Sequence, residues 1–74
     1  MNNDINSIGV WCGVNKNGTL MLFTEKPVKD ENKGKWIGKQ YVNIKIYNMI
    51  KDLFTKANYS WNNEAEYIEF SIKN

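Results

Sequence analysis

Asn17-Gly18 lies between two β-prone runs, and no other dipeptide in the chain restricts the fold as much. Upstream, Ile8, Val10 and Cys12 alternate with Gly9, Trp11 and Gly13, which is the two-residue period of a strand. Downstream, Thr19-Leu20-Met21-Leu22-Phe23-Thr24 reads as the returning strand. Asn-Gly between such runs is the strongest short hairpin signal, because a type I′ turn needs positive φ at both central positions. Two glycines on one face leave a flat surface across which Trp11 can pack.

Beyond the hairpin, Pro27 ends the second strand, since it has no N–H for a ladder. Residues Val28 to Lys35 read as a polar loop with Asp30, Glu31, Asn32 and Gly34. Lys35-Trp36-Ile37-Gly38 is a short third strand, and Tyr41-Val42-Asn43-Ile44 either extends it or leads into a helix. From there the period changes. Ile46, Met49, Ile50, Leu53 and Phe54 form one helical stripe, with Asn43 as N-cap and Ala57-Asn58 as the stop. After a turn at Asn62-Asn63-Glu64 a closing strand follows, with Ile68, Phe70 and Ile72 on one face and Tyr67, Glu69 and Ser71 on the other. The expected fold is α+β. It has a small antiparallel sheet of three to four strands (hairpin, third strand, one helix, closing strand) with the helix packed on one face.

Seventy-four residues make a single domain, 1–74, with residues 1–6 expected to be a loose N-terminus. A chain this short buries only about 60% of its unfolded surface and often needs a staple. Cys12 is the lone cysteine and histidine is absent, so an internal disulfide is excluded and neither a zinc site nor any other cofactor is expected. Three Trp, four Tyr and three Phe can supply the packing, or self-association can, and a homodimer or higher oligomer is expected. No apolar run approaches the roughly 20 residues of a membrane span, so no membrane role is expected. Met1-Asn2-Asn3-Asp4 lacks the pattern of a signal peptide, and with the free thiol this points to the cytoplasm.

Chemistry is sparse. Without histidine there is no ready general base, and Asp30, Glu31, Glu64, Glu66 and Glu69 sit at solvated positions, so an enzyme is not expected. The net charge is only +2, and all ten basic residues are lysine, which argues against base-specific reading of DNA. The Lys and Asn content fits an AT-rich bacterial or viral genome. One segment could bind. Lys26 to Tyr41 interleaves five lysines, Lys35 and Lys39 among them, with Trp36 and Tyr41, a pattern that grips a nucleotide by stacking and phosphate contact. The competing reading is a solvated loop whose charges Glu25, Asp30 and Glu31 partly offset. Tyr59, Trp61 and Tyr67 near the last turn either form a binding patch or close the end of the core.

Trp11, Asn17-Gly18, Leu20-Met21-Leu22-Phe23, Lys26-Pro27, Gly34-Lys35-Trp36, Leu53-Phe54, Tyr59-Ser60-Trp61 and Tyr67 to Ile72 occur in the order seen in a group of short accessory proteins. The chain resembles these proteins, which are carried by bacteriophages, prophages and other mobile elements, over nearly its whole length after residue 8. It departs at Thr55 and Asn63, where prolines nearby and a more acidic turn are the pattern. The resemblance brings no active site. It implies a protein that acts by binding in the bacterial host cytoplasm. A host protein is the expected partner, with inhibition of an antiviral defence component as the leading role. Oligomeric capture of a small signalling nucleotide, with Trp36 or Tyr41 stacking and Lys35 or Lys39 holding phosphate, is the alternative. Weak nucleic-acid binding comes third.

Overall fold

A computed structural model of the chain describes residues 5–73, with side chains over residues 7–70. In order it contains β1 (Ile5–Val14), β2 (Leu20–Phe23), β3 (Val28–Asp30), β4 (Lys35–Ile37), α1 (Ile44–Lys56) and β5 (Glu66–Lys73). These make an α+β domain with one helix and two antiparallel sheets, β2-β1-β5 and β3-β4. The strand that begins at Ile5 takes in two residues of the terminus expected to be loose, and residues 1–4 lie outside those described.

The β1–β2 hairpin forms as expected, with Trp11 opposite Phe23 and Val14 opposite Leu20. Its turn is different. Gly18 has φ +92 while Asn17 stays at negative φ, and Gly18 N–H donates to Asn15 O at 2.9 Å. That is a type I turn closed by a left-handed glycine in a three-residue loop, and Asn17 Oδ1 accepts from Thr19 N at 3.0 Å. Closing β1 with β5 brings together segments far apart in sequence, from Ile5↔Lys73 to Cys12↔Glu66.

On one face of this sheet Val10, Cys12, Val14, Leu20 and Leu22 join Ile46, Ile50 and Phe54 of α1 in one buried cluster. Ile8, Ile68 and Phe70 pack against it while staying half-buried. The helix begins where expected, because Asn43 Oδ1 accepts from Ile46 N at 3.1 Å. It ends in a Schellman motif around Asn58, φ 58. Asn58 N–H reaches Thr55 O, and Tyr59 N–H reaches Phe54 O at 3.0 Å. The accompanying apolar contact is Tyr59 on Phe54, with ring centroids 4.3 Å apart. The buried stripe is narrower than the periodicity suggested. Ile46, Ile50 and Phe54 are covered, whereas Met49 and Leu53 are exposed.

Two expectations fail on the opposite face. Val28–Asp30 is a strand and not loop, because it pairs with Lys35–Ile37 through Val28↔Ile37 and Lys29↔Trp36. A turn held by Asp30 connects the two. Its Oδ1 accepts from Asn32 N and Lys33 N, both at 3.1 Å, and its backbone carbonyl from Gly34 N at 2.9 Å. The strand over Lys35–Ile37 therefore belongs to its own two-stranded sheet, and does not extend the first. After it the chain returns to the outer edge of β2. Thr24 N–H donates to Lys39 O, and Tyr41 N–H to Leu22 O, each at 2.9 Å.

Candidate functional site

The Lys26–Tyr41 segment folds inward around Trp36. Lys29↔Trp36 pairing points the indole at β1, where Gly13 has no side chain to keep it off. Trp36 Nε1–H donates to Val14 O at 3.2 Å, and Trp36 N–H donates to Asn15 Oδ1 at 2.9 Å. Lys16 N–H donates to Gly34 O at 2.9 Å, which ties the two hairpin turns together. Trp36 is 5% exposed. It is a core residue, so the stacking surface expected of it is not on offer.

Trp61 closes this second core. Its ring meets Trp36 edge-on, centroids 6.1 Å apart at 65°. Lys29 sits between them, with Nζ 4.4 Å from the Trp61 centroid, 5.3 Å from that of Trp36, and 2.7 Å from Trp61 O. The interleaved lysine and aromatics thus satisfy one another within the chain. Lys35 and Lys39 are exposed. Lys35 borders a shallow hollow together with Lys16, Lys33, Asn15 and Asn17.

Tyr41 is half-buried against the main cluster, and its hydroxyl accepts from Asn43 Nδ2 at 3.4 Å. The trio near the last turn divides. Tyr59 lies on Phe54 and donates to the Glu66 carboxylate, so it closes the main core, while Trp61 closes the second. Tyr67 lies on the other face of the sheet, across Gly9 and 5.3 Å from Trp11. The flat glycine surface therefore receives Tyr67 and Trp36 in place of Trp11, whose own ring faces Lys26 Nζ at 5.8 Å.

Sequence reasoning passed over Val42 and Ile44. They flank the N-cap and are 88% and 74% exposed, the two highest values among the exposed large hydrophobic residues. With Tyr41, Asn43 and Tyr47 they line an apolar notch of about 160 Å³. Tyr47 is fixed there by donating from its hydroxyl to Leu20 O at 3.2 Å. A signal was present: at about 100° per residue Ile44 falls roughly 160° from Ile46, off the buried stripe.

The remaining chemistry is quiet. Burial, with the Glu66 carboxylate across the strand pair adding to it, pushes the Cys12 thiol up to about 12. That is opposite to the shift that makes a thiolate nucleophile. Among the described residues no group of three or more His, Cys, Asp or Glu could hold a metal, and no helix is long and apolar enough to cross a membrane. Comparison with protein-family models, with curated proteins and with solved structures finds no match to this chain.

Proposed function

We propose that this protein acts by binding another protein, and that the notch of Tyr41, Val42, Ile44 and Tyr47 is where the partner docks. The observation that carries the reading is the exposure of Val42 and Ile44, at 88% and 74%, beside two tyrosines. Val42 and Ile44 stand on either side of the cap and stay bare, and clustered exposed apolar and tyrosine surface marks contact sites. The resemblance to phage accessory proteins supplies the class of partner, a bacterial host protein of an antiviral defence whose action the bound chain blocks. The shielded Cys12 thiol and the structural engagement of Asp30 and Glu66 favour binding over catalysis.

Burying Val and Ile in an interface contributes roughly 1.5–3 kcal/mol each. The Val42→Glu/Ile44→Glu double variant is therefore expected to lose more than about 100-fold in affinity. The experiment is capture from a bacterial lysate with wild-type and variant chains, each read by native mass spectrometry and checked for folding by circular dichroism. The expected result is a stoichiometric protein partner on the wild type that is lost from the folded variant. Retention of that partner by the variant would overturn the assignment of the notch. A bound mass of a few hundred daltons with no protein partner would replace the reading with nucleotide capture.

A further inference from the structure

Strand β5 has no hydrogen-bonded neighbour on its outer side among the described residues, because the sheet order is β2-β1-β5. The opposite edge of the sheet is covered, since residues 39–41 run along β2. The eight residues of β5 thus present a long open edge of this sheet, a row of backbone donors and acceptors about 27 Å long, and residues 5–10 of β1, beyond the reach of β2, present a shorter one. The sheet also narrows. β2 reaches only to Trp11, so from Val10 to Ile5 it consists of β1 and β5 alone. A two-stranded ribbon is marginal in water, and three or more strands with an apolar face are needed for stability.

The apolar surface beside that edge is incompletely covered. Ile8, Ile68 and Phe70 are half-buried. On α1, Tyr47 reaches Leu20 of β2, and Tyr47 and Lys51 border the β1–β2 turn. On the helical wheel Met49 and Leu53 fall on the opposite flank of the buried stripe, away from β2, at 54% and 53% exposure. The open edge and the bare helix flank thus both lie away from β2.

We infer that a second copy of this chain docks here, β5 against β5 antiparallel, joining the two three-stranded sheets into one of six. Register selects the pairing. A two-fold axis perpendicular to the sheet sets one residue of β5 opposite itself. With Glu69 on the axis two carboxylates face each other, which is destabilising. With Ile68 on the axis Glu66 falls opposite Phe70 on the apolar face. With Phe70 on the axis the two Phe70 residues meet, Ile68 falls opposite Ile72, and Glu69 opposite Ser71. Of these three registers, only the last groups apolar with apolar and separates the carboxylates. It brings Met49 and Leu53 of each copy towards the new centre. An interface of this length covers on the order of 500 Å² per copy, the lower end of specific interfaces, which suits a dimer of moderate affinity. The edge lies across the sheet from the Val42–Ile44 notch, so dimerisation leaves the proposed docking site open.

Sedimentation equilibrium of the wild-type chain tests the association directly. The molar mass is expected to rise from one chain to two between roughly 10 μM and 1 mM. Single substitutions Phe70→Cys and Ile8→Cys, each with Cys12 buried and unreactive, test the register. Mild oxidation is expected to convert Phe70→Cys to a covalent dimer and to leave Ile8→Cys a monomer. A wild-type chain that stays monomeric throughout overturns the proposal and hands the edge to an extended segment of another protein. Association with cross-linking through Ile8→Cys alone overturns β5 as its seat.

Discussion

Replacing Gly13 by alanine adds one methyl group to the centre of β1, and the outcome depends on whether Trp36 can move. A Cβ built at Gly13 lies 2.7 Å from Trp36 Cδ1, 2.8 Å from Nε1 and 2.9 Å from Cγ, closer than carbon and nitrogen tolerate. The indole is buried, tied through Nε1–H to Val14 O, and backed by Trp61. Overpacking of this kind costs about 1–3 kcal/mol. Pulling Nε1–H from its buried acceptor adds roughly 1–3 kcal/mol. Removing a glycine from the unfolded chain returns about 0.4–1 kcal/mol, because Gly13 does not occupy positive φ. The net expectation is a loss near 3 kcal/mol, against a total stability of roughly 4–11 kcal/mol for a chain of this length. With a urea m-value near 1 kcal/mol/M, the midpoint should fall by about 3 M.

Gly9→Ala is the matched control. There the added Cβ would meet the hydroxyl end of Tyr67, a side chain 51% exposed and free to swing away. Its expected change is within about 0.5 kcal/mol. Urea unfolding followed by far-ultraviolet circular dichroism compares the two. An unchanged or raised midpoint for Gly13→Ala, or equal losses at both glycines, would refute the claim that Trp36 is clamped against bare backbone.

Two further expectations concern buried polar groups. The Cys12 thiol titrates in the folded chain at about 12, above its ordinary value of 9.0, so the folded state holds the proton more tightly than the unfolded chain. The stability this confers is complete below pH 9 and is lost as pH rises towards 12, at a limiting slope of about 1.4 kcal/mol per pH unit. Cys12→Val should lack this component when the two pH–stability curves are subtracted, and superimposable curves would contradict it. Asn15, 8% exposed, joins the two sheets by accepting from Trp36 N–H. Asn15→Ala leaves that donor buried and alone, and is expected to cost about 1–3 kcal/mol in the same urea assay. Asn15→Asp keeps the acceptor and should recover part of the loss.

What was legible in the sequence was what neighbouring residues decide between themselves. Asn43 caps the helix through a donor three residues away, and Asn58 and Tyr59 close its far end within one turn. The alternation of Tyr67, Ile68, Glu69 and Phe70 identifies a strand with one core face whatever it pairs with. The failures share a cause of longer range. Val28–Asp30 is three residues long and two-thirds charged, and is held as a strand by a hairpin that Asn15 and Lys16 anchor from elsewhere. Met49 and Leu53 fit the helical period, but period alone does not say how much of an apolar stripe finds partners, and here only Ile46, Ile50 and Phe54 are covered. Trp36 among lysines looked like a ligand contact because the vacancy at Gly13 that receives it lies more than twenty residues upstream. Val42 and Ile44 escaped notice for the reverse reason, since apolar residues beside a cap suggest core until the core is seen to be full.

The pairing of β1 with β5 also sets an order of events in time. The β1–β2 hairpin closes over a three-residue loop and can form within microseconds, whereas Trp11 meets Tyr67 only after most of the chain has been gathered between them. During synthesis at about 5–20 residues per second, several seconds separate the two. Throughout that interval β1 has β2 along its last four residues, Trp11 to Val14, and no strand on its other side. The residues of β5 are the ones that shield it, so a pause in translation before Glu66 prolongs the period in which this chain is most prone to pair with the wrong strand.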